Sequence, residues 1–362
     1  MSARRNETGD GAGTATGSLS PPVAESAGPP TGRRPAWRLT IQGRGSTRIV
    51  PCLLSILVLV LLVVSLLVGD GILALPDRLI LLQIRLPRTL LAALVGGGLG
   101  LSGAVLQGAL RNPLADPGLL GITGTAGLGA AVAFYWGLSV HFAPALPLGG
   151  LAGAAVGAMC LLAFAGGAPS GPSLILAGIA VSALSAALLA LALSLAPNPF
   201  ALAEITFWLL GGLNDRSLLH VALAAPPILL GVAILLRLGR GLDALSLGEE
   251  TAASLGVPVG RTLVLAATGT ALAAGAGAAV AGGIGFVGLV VPHLLRPLLG
   301  QRPSALLPAS LLAGAALLLA ADLLVRLAPL LLPLSQPLPL GVLTALLGAP
   351  FVVVIARRTP RP

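Results

Sequence analysis

The segment that decides the fold runs from Arg85 to Gly124 and reads RLPRTLLAALVGGGLGLSGAVLQGALRNPLADPGLLGITG. It begins with two arginines, continues as an apolar run over residues 88–109, and turns polar over residues 111–117. A helix rises about 1.5 Å per residue, so roughly 20 apolar residues cross a hydrocarbon core of about 30 Å. Prolines stop helix propagation, and Asn or Asp side chains can bond free backbone groups in a tight loop. The segment therefore predicts a membrane helix followed by a rigid polar loop.

Comparable apolar runs recur from Pro51 almost to the C-terminus. Of the 362 residues, 56% are hydrophobic and only 9% are charged, whereas soluble domains carry about 25% charged residues. The sequence predicts an all-α polytopic membrane protein with ten transmembrane helices. They are expected near residues 50–69, 88–109, 118–138, 145–165, 173–196, 218–238, 260–281, 284–299, 305–327 and 338–356.

The two ends of the chain differ from this apolar domain. Residues 1–48 are rich in Gly, Pro, Ser, Thr and Arg, which predicts a disordered tail. The apolar run at 51–68 is longer than the core of a usual signal peptide, so it is interpreted as a retained first helix. Residues 49–358 then form one ten-helix domain, and residues 359–362 form a short second tail.

The basic residues indicate topology. The formal net charge is +9, and all 21 basic residues are arginine. A phosphate-binding P-loop needs a lysine, so any ATP hydrolysis must belong to another subunit. With the N-terminus inside, 16 arginines fall on the inner side and 5 on the outer side. This bias places both termini in the cytoplasm, and it explains the charge without a nucleic-acid partner.

Glycines repeat at helical spacing in two predicted spans. Gly149, Gly153 and Gly157 lie four residues apart, as do Gly96 and Gly100. Small residues at this spacing let membrane helices approach closely. Abundant glycine could give the same pattern by chance, so close packing at these faces is a prediction.

No motif in the sequence indicates catalysis. Two G-x-G-x-x-G matches begin at Gly98 and Gly283, but neither follows a strand, as a nucleotide site requires. The three histidines are scattered, and Cys52 and Cys160 are isolated in apolar segments. We therefore predict no enzyme, no cofactor and no metal site.

Several motifs together resemble one transport family. The quoted segment is similar to the signature of the FecCD-type permeases, which serve iron-siderophore, haem and cobalamin import in binding-protein-dependent ABC importers. The likeness continues, in order, through WLLGGL (208–213), LGEETAASLGV (247–257), GFVGLVVPHLLR (285–296) and PLGVLTALLGAPF (339–351).

The resemblance implies a type II ABC importer permease with ten helices in the bacterial cytoplasmic (inner) membrane. Its implied partners are a second permease copy, a cytoplasmic ATPase dimer, an extracytoplasmic substrate-binding protein and a metal-chelate substrate. The resemblance leaves open which chelate is carried and whether the dimer is a homodimer or a heterodimer.

The resemblance also implies docking residues. Outward arginines of the family pair with glutamates of the binding protein, and the matching positions are Arg85, Arg88 and Arg326. Arg326 also follows Asp322 by four residues, so an ion pair within one helix is an alternative for it.

A loop segment resembles the helix that couples the permease to its ATPase. The segment 247–256 is expected to be a short amphipathic helix, and a solvated helix between two spans is the alternative. The residues that match the family's coupling helix are Leu247, Gly248, Glu249, Glu250, Ala253, Leu255 and Gly256.

Other positions match the cytoplasmic gate of the family. Asn112 and Leu114 match the loop that helps to close the cytoplasmic end of the pathway, and the turn at 171–173 matches the second gate position without its polar pair.

Further positions are left open. Before the final P-x-G motif, Gln336 stands where many relatives of the family carry an acidic residue. For His293, a structural role is preferred to a functional one, while Asp215 and Arg216 either line the pathway entrance or lie in water.

The competing function is an ion-coupled secondary transporter. Such a protein would place ionisable groups near the middle of the membrane. Asp322 is the carboxylate that falls within a predicted span, and an arginine lies four residues away.

Overall fold

The structure is a computed structural model that describes residues 46–69, 77–138, 142, 144–331 and 338–358. The first helix begins at Ser46. Residues 1–45 of the predicted tail, the predicted tail at 359–362, and Gln336 lie outside the described residues.

The described chain is built of helices, numbered here in chain order. They are α1 (Ser46–Leu67), α2 (Arg78–Ala109), α3 (Ile122–Tyr135), α4 (Ala145–Ala165), α5 (Gly171–Ser194), α6 (Pro199–Leu209), α7 (Leu218–Leu236), α8 (Gly239–Leu245), α9 (Glu249–Ser254), α10 (Val259–Ala281), α11 (Val287–Leu299), α12 (Pro303–Leu331) and α13 (Leu340–Arg358). A 3₁₀ turn, Pro117–Leu120, precedes α3.

Each of the ten predicted spans overlaps one of these helices. Seven of the described helices are long and apolar enough to cross a membrane, namely α1, α2, α4, α5, α7, α10 and α12. The helices α3, α11 and α13 are apolar but contribute shorter stretches, and they occupy the other three predicted spans. The all-α membrane class is confirmed, and the helix count is compatible with ten.

Helix α6 was not predicted. Its first turn has a sequence signal, because the Asn198 side chain accepts a hydrogen bond of 2.8 Å from the Ala201 N–H, and Pro199 takes the first helical position. Both residue types are preferred at these positions. With 11 residues, α6 is shorter than the apolar length expected of a span.

The helices differ greatly in how far they are buried. In the apolar stretch of α2, 83% of the residues are buried, and in the apolar stretch of α10, 78% are buried. In the apolar stretch of α1, only 6% of the residues are buried. α2 and α10 therefore form the centre of the described bundle, whereas the exposed apolar side chains of α1 suit a lipid environment.

The predicted glycine faces are confirmed as close helix contacts. A Cβ on Gly100 would lie 2.9 Å from Cα of Gly314, so α2 and α12 meet backbone to backbone. A Cβ on Gly153 would lie 3.1 Å from Cα of Gly129, so α4 meets α3 in the same way. Side chains at these positions would force the helices apart.

Hydrogen bonds define two opposite ends of the bundle. At one end, Asp243 of α8 bonds to the start of α12, and Glu249 of α9 bonds to the start of α5. We call this end the loop face, because it carries residues 237–258. At the other end, Arg88 in the first half of α2 pairs with Asp322 in the second half of α12, and we call it the arginine face.

Candidate functional site

One buried carboxylate organises the arginine face. The Asp322 side chain is 1% exposed and receives two guanidinium groups. Arg88 donates from Nε to Oδ1 at 2.8 Å and to Oδ2 at 3.1 Å. Arg326 donates to Oδ2 from Nε at 2.9 Å and from Nη2 at 2.6 Å. Both carboxylate oxygens are therefore engaged by ion pairs inside the chain.

The arginines of this face also hold the end of α1. Arg326 donates from Nη1 to the Ser65 carbonyl at 2.9 Å, and Arg85 donates from Nη1 to the Leu67 carbonyl at 2.8 Å. The Ser65 hydroxyl lies 2.7 Å from the Thr89 hydroxyl of α2. The last carbonyls of a helix lack partners within it and attract cations. The arginines thus fasten α1 to α2 and α12.

These contacts bear differently on the three predicted docking arginines. Arg326 pairs with Asp322 within α12, which is the alternative to docking that the sequence suggested. The Arg326 side chain is only 5% exposed. Arg88 is 17% exposed at its side chain, and Arg85 is partly exposed. Docking through Arg85 and Arg88 stays a prediction. Docking through Arg326 also stays untested, but its burial argues against it in this conformation.

A turn between α6 and α7 borders two cavities on the arginine face. A cavity of about 530 Å³ is lined by Arg88, Arg326 and residues 213–217, and a second of about 370 Å³ is lined by α6 and residues 214–216. The Gly212 N–H donates to the Ala281 carbonyl at 2.8 Å, which holds the turn to the end of α10. Asp215 and Arg216 therefore border these cavities, and their place at a pathway entrance stays a prediction.

Arg216 differs from the other arginines that line these cavities. Its Nε is buried and has no hydrogen-bond partner among the described residues. Burial lowers the pKa of the Arg216 guanidinium, and the neighbouring Asp215 carboxylate opposes that change. Arginine side chains nevertheless remain protonated in proteins. Arg216 is therefore a partly buried cation with an unused donor.

On the loop face, the predicted amphipathic helix is present as α9. Gly248 has φ of 116° and Gly256 has φ of 81°, so glycines stand at the left-handed positions on both sides of α9. Ala252, on the inner side of α9, is fully buried, while Leu247 and Leu255 beside the helix are 63% and 62% exposed. Two exposed leucines around a small anchored helix suit a contact surface. The partner of that surface stays a prediction.

Two carboxylates attach this loop to membrane helices. Glu249 accepts the Gly171 N–H on Oε1 at 2.9 Å, at the first residue of α5. Asp243 accepts the Ser304 N–H on Oδ1 at 2.9 Å and the Ser304 hydroxyl on Oδ2 at 2.6 Å, at the start of α12. Carboxylates favour helix N-termini because the free N–H groups and the helix dipole stabilise negative charge. The loop is therefore joined to α5 and α12.

The predicted gate loop has the local bonds expected from its sequence. Asn112 accepts the Leu114 N–H at 2.9 Å, and Asp116 accepts the Gly118 N–H at 2.9 Å. Leu114 is 42% exposed. The end of this loop rests on α5, where the Ser182 hydroxyl donates to the Leu119 carbonyl at 3.4 Å. The structure thus brings the loop against the helix whose start is bonded to Glu249, while its role as a gate stays a prediction.

His293 has the structural role preferred from the sequence. Arg296 can only donate, so His293 accepts from it on Nε2 at 3.2 Å and donates from Nδ1 to the Leu289 carbonyl at 3.2 Å. Arg296 also donates to the Gln107 side chain of α2 at 2.7 Å. This network joins α11 to α2.

Neither Gln107 nor Asp243 belongs to a site predicted from the sequence. Gln107 and Arg296 are 189 positions apart, and Asp243 and Ser304 are 61 positions apart. One polar residue in an apolar span was the available signal for Gln107, and Asp243 had none.

The amino-acid sequence of the chain is similar to those of known transport proteins. Residues 50–358 match the FecCD transport family. The chain is 40% identical over 314 residues to the vitamin B12 import system permease protein BtuC of Klebsiella pneumoniae subsp. pneumoniae, covering 84% of this chain and 92% of that protein. It is 40% identical over 318 residues to BtuC of Salmonella typhi, covering 85% and 94% of the two chains.

A solved structure of a metal-chelate type ABC transporter in an inward-facing conformation is also similar. It superposes with a TM-score of 0.75 at 34% sequence identity, covering 86% of this chain and 99% of that chain.

Proposed function

The chain belongs to the FecCD transport family, and we propose that it is the permease subunit of an ATP-driven importer that moves a metal chelate into the cytoplasm. It is a multi-pass protein of the cytoplasmic membrane. The observation that carries the proposal is the exposed helix α9, whose loop is bonded to the starts of α5 and α12.

We place the loop face in the cytoplasm, together with both termini. The arginine bias between the two sides supports this orientation. A cytoplasmic ATPase dimer then meets α9, with Leu247 and Leu255 as its apolar contacts. Movement of α9 would pull on the start of α5, and α5 would transmit it to the loop around Leu114. Asn112 and Leu114 then help to close the cytoplasmic end of the pathway.

The arginine face then faces outward and receives an extracytoplasmic substrate-binding protein. The partly exposed Arg85 and Arg88 are the sequence-matched candidates for salt bridges with acidic side chains. A second permease copy completes the pathway in this proposal. Chemistry on the substrate plays no part, and ATP hydrolysis belongs to the separate ATPase.

The names of the relatives support the proposed substrate class. Their names specify vitamin B12 import in one case and a metal chelate in the other. We therefore propose a bulky metal chelate, with cobalamin as the first candidate beside ferric siderophores and haem.

The ion-coupled alternative is less favoured by the geometry. An ion-coupling carboxylate needs open oxygens for a proton or cation. Asp322, which lies within α12, has both oxygens bonded to Arg88 and Arg326.

Uptake measurements test the proposal. The permease, its ATPase and its binding protein are reconstituted in liposomes and supplied with cobalamin, a ferric siderophore or haem. We expect uptake of one chelate class that requires ATP and the binding protein. Uptake by the permease alone under a proton or sodium gradient, without ATP, would favour the ion-coupled alternative.

A further inference from the structure

Helix α11 begins inside the bundle rather than at one of its faces. Five residues without helical structure separate Ala281, the end of α10, from Val287, the first residue of α11. A Cβ on Gly288 would lie 3.0 Å from the Leu99 carbonyl oxygen, so the first turn of α11 packs on the middle of α2. The N–H groups of a first turn lack partners within their helix, and Phe286 at the N-cap position has no side-chain acceptor. The start of α11 therefore needs an acceptor from another part of the chain.

The carboxylate of Asp116 lies at this helix start. Its Oδ1 accepts the Gly118 N–H at 2.9 Å, and its Oδ2 would lie 3.0 Å from a Cβ on Gly288. Burial raises the pKa of the Asp116 carboxyl, and the N–H groups of Gly118 and Leu289 oppose that change because they stabilise the charged form. A helix N-terminus also favours a negative charge through the helix dipole. Asp116 thus caps α11 from a loop that is distant in sequence.

The loop that carries Asp116, residues 111–121, is attached to α5 on its other side. The Ser182 hydroxyl donates to the Leu119 carbonyl at 3.4 Å, and a Cβ on Gly178 would lie 2.6 Å from the same carbonyl oxygen. The start of α5 is in turn bonded to α9. The 111–121 loop therefore lies between α5 and the start of α11 and contacts both.

Helix α11 has a second attachment that does not involve this loop. Gln107 of α2 donates from Nε2 to the Gly288 carbonyl at 3.2 Å and accepts from Arg296 at 2.7 Å. Gln107 holds a carbonyl of the first turn, whereas Asp116 serves its N–H groups. Without Asp116, α11 would stay joined to α2 and would lose its link to the 111–121 loop.

We propose that Asp116 is the positioning residue that ties α11 to the 111–121 loop, so that α11 shifts together with α5 and this loop when the cytoplasmic end of the pathway opens or closes. The inference rests on the proposed function and adds α11 to its moving parts. Asp116 touches no substrate in this scheme and acts through the first turn of α11.

Hydrogen–deuterium exchange of the permease alone, in nanodiscs, tests the cap. Asp116→Ala is expected to raise the exchange rate of the amides at 287–290 by about 5-fold, the usual effect of losing a helix cap. Asp116→Asn should restore most of the protection, because asparagine keeps an acceptor oxygen and caps helices about as well as aspartate. The matched control is Asp77→Ala, which removes an exposed carboxylate that makes no cap hydrogen bond to α2. An equal effect of Asp116→Ala and Asp77→Ala on these amides would overturn the proposal.

The same measurement on the permease–ATPase complex, with and without bound ATP, tests the positioning role. In the unaltered complex, exchange at 111–121 and at 287–290 is expected to change together with the nucleotide state. In Asp116→Ala the loop should still respond while residues 287–290 should not, a result that loss of stability alone would not produce. A response of residues 287–290 in Asp116→Ala equal to that of the unaltered complex would overturn the proposal. If the unaltered complex takes up no chelate with ATP, the proposed function fails, while exchange in the permease alone still decides whether Asp116 caps α11.

Discussion

Replacing Asp322 with alanine is expected to lower the free energy of unfolding by about 3–5 kcal/mol, the usual effect of removing one partner from a buried ion pair. The substitution would leave the Arg326 guanidinium, whose side chain is 5% exposed, without its carboxylate. It would also release Arg88 from α12 and loosen the attachment of α1 through Arg326 and Ser65. Equilibrium unfolding of the permease in mixed micelles measures the change.

Two further variants separate the ion pair from simple loss of volume. Asp322→Asn keeps one acceptor oxygen without the charge. Its free energy of unfolding should therefore fall between those of the wild type and Asp322→Ala. Leu324→Ala removes an exposed side chain of the same helix, where a substitution should change stability by less than about 0.5 kcal/mol. Equal stabilities for Asp322→Ala and Leu324→Ala would show that the buried network does not stabilise the arginine face.

Replacing Glu249 with alanine is expected to reduce substrate transported per ATP hydrolysed by roughly 10-fold, within the usual range of coupling free energies between sites. The reason is the 2.9 Å bond from the Gly171 N–H to Glu249, a direct link between α9 and α5. Without it, α9 could still contact the ATPase but would no longer hold the start of α5. Uptake and phosphate release, measured in the same liposomes, give the ratio.

The conservative substitution at the same position is the control. Glu249→Gln keeps a carbonyl oxygen that can accept the Gly171 N–H, so it should restore most of the transport ratio. Asp243→Ala, which breaks the parallel bond to Ser304, should lower the ratio by a separate route through α12. An unchanged ratio in Glu249→Ala would show that α5 is moved by other contacts.

Much of the fold follows from the sequence because the membrane imposes a length on each apolar run. Every predicted span overlaps a helix, and the glycine faces of α2 and α4 make the expected close contacts. The boundaries were less accurate. Helix α2 begins at Arg78, ten residues before the predicted start, because the chain from Arg78 to Arg85 is helical despite its charged ends.

The candidate site was predictable only where its partners are close in sequence. The spacing of Asp322 and Arg326 suggested their ion pair, but Arg88 is 234 positions from Asp322 and completes the network through the packing of α2 against α12. The contact between Glu249 and Gly171 spans 78 positions. Such contacts depend on how helices pack, which hydrophobic periodicity does not specify.

Side-specific thiol labelling in bacterial cells tests the orientation on which the account depends. Leu247→Cys places an exposed thiol beside α9, in a chain whose native Cys52 and Cys160 are replaced, and Arg78→Cys places one on the arginine face. A membrane-impermeant reagent is expected to label only Arg78→Cys in intact cells. Leu247→Cys should react in inside-out vesicles and be protected by the bound ATPase. Labelling of Leu247→Cys from outside intact cells would contradict the account, because no cytoplasmic ATPase could then reach α9.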